Sequence, residues 1–275
     1  MTADKHEYHG TCARAVGEAL LFLDNVLTRD LTFTEKESPR DLVSAADIAV
    51  HNLICRKLQP SGIPILSEEH AASRAAIPAA QGLRWVLDPV DGTTNFAARI
   101  PLFGVSLGLM EGLTFCAGAF GMPATRELFY TVNADASYLN DARLRPERRT
   151  LATSLVGACF SSRGRNSQEC RDREFRVFGM ANDRSRGCVR LGSAGVTICY
   201  TAAGKLGAAY AVHSWIWDVA AALAIAQAAG CRVLVAADDG QPSVSCIVGR
   251  GEVVEELKGL LQDVLGFTTW TESEA

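Results

Sequence analysis

Apolar positions recur at two different spacings along this chain, and the spacing changes with position. Val16, Leu20, Leu23 and Leu27, and again Val50, Leu53, Ile54 and Leu58, fall three or four residues apart. Such spacing lines one helical face, so two N-terminal helices are predicted, separated by a polar loop around 32–40. Short apolar runs bounded by turn residues come next. They predict strands over 63–66, 84–87, 103–110, 114–120 and 127–132, with Glu111-Gly112 and Pro123-Ala124-Thr125 as turns, and hence a largely antiparallel sheet. Past a polar, charged stretch at 133–150 the pattern alternates: strand 154–160, helix 168–181, short strand 189–191, helix 194–203 and strand 206–212. Helix 219–229, strands 231–235 and 244–248 and helix 253–264 follow. The soft boundary falls near 145, giving an N-terminal α+β half over 1–145 and a C-terminal α/β half over 146–275.

Composition narrows the class. A chain of 275 residues with 48% hydrophobic positions can bury a large core, as one domain or two closely packed ones. Its net charge of −4 argues against a general nucleic-acid surface, which needs a basic excess. The Arg-rich stretches 143–149 and 163–190 read as solvated surface. Nine cysteines, odd in number and without a C-x-x-C pair, point to a reducing compartment. Cys55, Cys116, Cys159, Cys199 and Cys246 lie in apolar stretches and are expected to be buried thiols. The polar N-terminus lacks the features of a secretory signal, and no apolar run approaches the length of a membrane span. A cytoplasmic protein with no membrane partner is expected.

The chemistry concentrates where the run Trp85-Val86-Leu87 meets Asp88-Pro89-Val90-Asp91-Gly92-Thr93-Thr94-Asn95-Phe96. The apolar run reads as a buried strand, and Asp-Pro followed by Asp-Gly as a sharp turn that stops it. Proline bars Asp88 from helical geometry, so Asp88, Asp91 and the Val90 carbonyl can face one point. Hard divalent cations such as Mg²⁺ take such oxygens. Thr93-Thr94-Asn95 is expected to open a short helix whose unpaired N–H groups favour an anion. Turn aspartates are equally common in plain solvated loops. Two further acidic positions share the setting: Glu68-Glu69 ends the apolar run at 63–66, and Asp218 precedes the Ala-rich helix reaching Gly230. Asp218 is also a good N-cap or first-turn residue on its own account.

Glu68-Glu69, the Asp-Pro-x-Asp-Gly-Thr-Thr-Asn-Phe string from Asp88 to Phe96, and Trp217-Asp218-Val219-Ala220-Ala221-Ala222 occur in the order of the signatures of a known family. With the segment from Lys36 to Asp47, they resemble the inositol monophosphatase superfamily of Mg²⁺-dependent, lithium-sensitive phosphatases over nearly the whole chain. The resemblance implies a layered α-β-α-β-α sandwich, a homodimer, and two or three Mg²⁺ ions. It implies that Glu68, Asp88 and the Val90 carbonyl hold one ion, and that Asp88, Asp91 and Asp218 hold a second, with Glu68 reaching a third through waters. Two close metals would clamp an in-line displacement at phosphorus by activated water, without a phosphoenzyme. Thr93 with Asp47 resembles the pair that orients and deprotonates that water. Glu69 would support Glu68. Gly92, Thr93 and Thr94 would cradle phosphate, with Lys36 as a more distant positive charge.

The resemblance limits the reaction better than the substrate. Gly192-Ser193-Ala194 is similar to the segment lining the sugar or inositol ring, with Ser193 a hydroxyl contact or, equally, a helix N-cap. Inositol-specific members carry a ring-binding glutamate where this chain has Ala211, which removes a polar clamp. His213, Trp215 and Trp217 are either pocket mouth or core. The expected activity is hydrolysis of a small phosphorylated polyol or sugar, inositol monophosphate first. Fructose 1,6-bisphosphate, histidinol phosphate and 3′-phosphoadenosine 5′-phosphate are alternatives. The reading from a different class is a regulatory binding protein on the same scaffold.

Overall fold

Two sheets, each faced on both sides by helices, organise the chain. The computed structural model describes residues 5–27, 33–35, 42–69, 82–160, 167–237, 242–267 and 269–273. Helix α1 (Lys5–Leu27) leads to β1 (Phe33–Glu35) and β2 (Leu42–Ser44), a small antiparallel pair, and to α2 (Ala45–Leu58). The first large sheet then runs β3 (Ile65–Ser67), β4 (Leu83–Asp91), β5 (Gly104–Glu111), β6 (Thr114–Met122), β7 (Glu127–Asn133), β8 (Ala136–Leu139) and β9 (Ala142–Arg143), in that spatial order. Every neighbouring pair is antiparallel except β3 on β4. A short helix, α3 (Thr93–Ala97), follows β4.

The second sheet has six strands. β10 (Val156–Phe160), β11 (Cys188–Val189) and β12 (Ala208–Trp215) are mutually parallel, while β13 (Arg232–Ala237), β14 (Ser243–Gly249) and β15 (Thr271–Glu272) are antiparallel additions. Helices α4 (Gln168–Arg184), α5 (Ala194–Ala202), α6 (Ile216–Ala228) and α7 (Val253–Leu265) complete it.

The layers follow from which faces are apolar. α1 and α2 cover the outer face of the first sheet, burying Val16, Leu23, Val50 and Ile54 against Trp85, Leu107 and Ala119. α4 and α7 cover the outer face of the second, where Val177, Leu257 and Leu261 meet Tyr210 and Ile247. α5 and α6 lie between the sheets, so each is apolar nearly all round, as a helix with no solvent face must be. This is the expected α-β-α-β-α sandwich. α6 touches the first sheet where Gly108 and Gly118 sit; a Cβ on Gly118 would stand 2.3 Å from the Ala221 carbonyl oxygen. Only glycine permits that approach.

Three local departures from the predicted pattern have physical causes. The Asp-Pro step does not stop β4. The strand continues to Asp91 through a bulge, Asp88 pairing with Ser106 and Asp91 with Gly104, and the bulge absorbs the N–H that Pro89 lacks. The reversal comes one residue later, at Gly92, whose φ of 86° suits glycine. The polar stretch after 133 contains β8 and β9, and Ser137 is buried there because its hydroxyl donates to the Ile225 carbonyl at 2.8 Å. Finally, of the cysteines expected to be buried, Cys199 and Cys246 are, while Cys55, Cys116 and Cys159 are half-exposed. All nine are free thiols, and no helix among the described residues is long and apolar enough to cross a membrane.

Candidate active site

Four acidic side chains come to one place from three elements, β3, β4 and α6. Glu68 follows β3, level with Asp88 on the adjacent strand, since Ser67 pairs with Leu87 and the Glu68 N–H donates to the Leu87 carbonyl at 3.1 Å. Asp88 and Asp91 flank the β4 bulge, and Asp218 occupies the first turn of α6, whose N-cap is Trp215. Asp218 is thus a first-turn residue rather than the cap. All four line one cavity of about 300 Å³, together with Val90, Gly92, Thr93, Thr94, Asn95, Ser193 and Ala194.

Electrostatic crowding is the main property of this cavity. Asp88 is held well above the usual carboxylate range, first by burial and then by the charges of Glu68, Asp91 and Asp218. Asp91 is raised to about 6, again first by burial; bonds from Ser193, Gly195 and Ala194 pull it back. Glu68 shares a hydrogen bond with Asp88. Among the described residues no three His, Cys, Asp or Glu side chains close around a point as a finished metal cage. The donor set nonetheless fits one class of ion: hard oxygens only, on carboxylates that repel one another without a cation, two of them, Asp88 and Asp91, buried.

Hydrogen bonding assigns several of the expected site residues to new tasks. Ser193 caps α5 by accepting from the Val196 N–H at 3.0 Å, and its hydroxyl donates to Asp91 Oδ2 at 2.5 Å. The Gly195 N–H reaches the same oxygen at 2.8 Å. A hydroxyl has one proton to give, so Ser193 holds Asp91 instead of offering that proton to a ligand. The Thr93 hydroxyl donates to the Val90 carbonyl at 3.0 Å, not to Asp47. Asp47 is buried in the first turn of α2 and does not line the cavity. Glu69 lies beside Glu68, its N–H donating to the Ser67 hydroxyl at 3.4 Å. Lys36 lies outside the described residues.

Sequence reasoning missed Asn95. Its Nδ2 donates to the carbonyls of Leu102 and Leu191, each at 2.7 Å, tying α3 to the segment that leads into α5. The side chain nests against Gly192, where a Cβ would sit 2.8 Å away. A single polar side chain bridging 96 residues of sequence leaves no local signal. Of the aromatic candidates, Trp215 lines the cavity while Trp217 is fully buried and stacked on it at 4.9 Å between ring centroids. His213 lines the cavity at a β12 bulge with φ 50°. Ala211 packs into the core between the sheets and contributes nothing polar.

A five-layer sandwich with carboxylates converging from two strand ends, a bulge and a helix start defines a class of phosphate-handling protein. The model of the inositol monophosphatase family matches residues 5–265, and the chain belongs to that family. It is 33% identical over 238 residues to an inositol-1-monophosphatase of Mycobacterium bovis, covering 82% of this chain and 80% of that one. The Nus factor SuhB of Pasteurella multocida is 32% identical over 209 residues, 74% of each chain. The solved structure of Mycobacterium tuberculosis SuhB superposes with a TM-score of 0.75 at 27% identity, over 95% of this chain and 98% of that one.

Proposed function

We propose that this protein hydrolyses a small phosphate monoester in a Mg²⁺-dependent reaction. The observation that carries the reading is the convergence of Glu68, Asp88, Asp91 and Asp218 on one cavity beside the start of α3. Glu68, Asp88, the Val90 carbonyl, Asp91 and Asp218 would hold the ions. Bound there, Mg²⁺ would neutralise the phosphoryl oxygens and acidify the attacking water. The N–H groups of Gly92 and Thr93, with Thr94 beside them, would fix the phosphate in line for attack. Ser193, Ala194 and Gly195 keep Asp91 in place and favour its ionised form. Thr93 would orient the water through its hydroxyl oxygen. Asp47 takes the proton only after that hydroxyl turns away from Val90.

The substrate we favour is a small phosphorylated polyol or sugar, with inositol monophosphate leading on the names of the relatives. Fructose 1,6-bisphosphate, histidinol phosphate and 3′-phosphoadenosine 5′-phosphate follow. One observation, the Nus factor relative, favours a regulatory binding role as a second reading. Phosphate release from these four esters, with Mg²⁺ and with chelator, separates the two. Metal-dependent turnover of any of them supports the first, and none would refute it.

A further inference from the structure

The part of the cavity lining contributed by the second sheet has a chemistry of its own. It is built at the carboxyl ends of the three parallel strands β11, β10 and β12, the edge of an α/β sheet where ligands bind. Arg190 follows β11, Phe160 ends β10, and His213 and Ser214 lie on the β12 bulge, all lining the same cavity. Cys159 stands between the two regions, feeling Asp91 and Asp218 on one side and Arg190 on the other.

Arg190 is pre-organised. Its guanidinium lies 4.0 Å over the Phe160 ring, and one Nη donates to the Phe160 carbonyl at 3.0 Å. Those two contacts fix the fork of five donors while using one of them. No carboxylate pairs with it among the described residues, although ion pairs hold Arg173 and Arg232. Of the side chains on this wall only His213 and Ser214 can accept a polyol's hydroxyl protons; Ala158, Cys159, Phe160 and Trp215 offer no strong acceptor, and Ala211 faces the core.

We propose that Arg190 binds a second anionic group on the leaving alcohol, so that the preferred substrates are phosphate monoesters whose alcohol carries a further phosphate or carboxylate. This rests on the phosphatase reading above and reorders its substrates, placing fructose 1,6-bisphosphate and 3′-phosphoadenosine 5′-phosphate ahead of inositol monophosphate. His213 lines the same cavity from the far side of β10, held at a backbone conformation that non-glycine residues rarely adopt. In this proposal Arg190 touches the alcohol's second anion rather than the reacting phosphoryl group, and so acts as a specificity residue rather than a catalytic one.

Matched pairs test this: fructose 1-phosphate against fructose 1,6-bisphosphate, and inositol 1-phosphate against inositol 1,4-bisphosphate, each with Mg²⁺. The bisphosphates should have the higher kcat/KM. Arg190→Ala should lower that value for them by about tenfold, mainly through KM, and leave the monophosphates within about twofold, since a charge-assisted bond far from the reaction contributes uniform binding. Arg190→Lys should recover part of the loss, which a purely structural role would not predict. Equal kcat/KM within each pair, or equal losses for both members in Arg190→Ala, would overturn the proposal. Calorimetric titration of the same compounds separates it from the phosphatase reading. If none is hydrolysed, Arg190-dependent tighter binding of the bisphosphates keeps the specificity inference while the catalytic reading falls; equal affinities overturn both.

Discussion

Replacing Asp91 by asparagine should stabilise the metal-free protein at alkaline pH while abolishing turnover. Asp91 is raised from 3.8 to about 6, with burial the largest cause. A folded-state pKa above the unfolded one means the folded protein holds that proton more tightly, so stability falls as pH rises from about 4 to about 6 and stays low above. The penalty at pH 8 is roughly two pKa units, about 3 kcal/mol. That net shift already includes the favourable bonds from Ser193 and Gly195, which the amide oxygen of asparagine can also accept. Melting in EDTA should therefore show Asp91→Asn several degrees above the parent at pH 8, at roughly 2–4 °C per kcal/mol for a protein approaching this size. At pH 3 the two should melt together, because the parent carboxyl is then protonated in the folded and the unfolded protein alike. Adding Mg²⁺ at pH 8 should raise the parent and not the variant. A variant that melts no higher than the parent at pH 8 in EDTA, or one that still hydrolyses its ester, would refute the crowded-carboxylate account.

Ser193→Ala removes both the α5 cap and the hydroxyl on Asp91, and should cost about 2–4 kcal/mol in urea unfolding. Losing that bond also raises Asp91 further, so the acidic limb of the rate profile should move to higher pH; an unmoved limb would show that Ser193 does not tune Asp91. Gly118→Ala drives a methyl into the Ala221 carbonyl and should cost about 1–3 kcal/mol, as overpacking does. Because α6 carries Asp218, the same variant should need more Mg²⁺ for half-maximal activity, and unchanged stability would mean that the sheet and helix are not in that close contact.

The legible part of the site was local. Asp88, Asp91 and Gly92 are within five residues, and their spacing reads equally as carboxylates beside an anion-favouring turn or as a plain solvated loop. Glu68 and Asp218 were legible as acidic residues at element ends, and became partners only through the family's ordered motifs. The strand carrying Asp88 was read as stopping at proline, since local propensity carries no information about a bulge that a neighbouring strand accommodates. Ser193 stayed divided between ring contact and cap; the tertiary arrangement gave it a third task, because α5 packs its N-terminus against the β4 end.

The sequence by itself determined the alternation of elements, since that depends on periodicity, while the layered class and the expected oxygen ligands came through the resemblance of its ordered motifs to a family. Only the tertiary structure decided what faces what. Asn95 bridges to Leu191, Arg190 stands over Phe160 in the cavity that the carboxylates also line, and Ala211 turns into the core. The physical reason is that burial and charge are properties of assembled neighbourhoods. A carboxylate becomes costly only when distant segments fold around it and exclude the water that would otherwise solvate it, and an arginine becomes a recognition group only when neighbours such as the Phe160 ring and carbonyl fix its guanidinium.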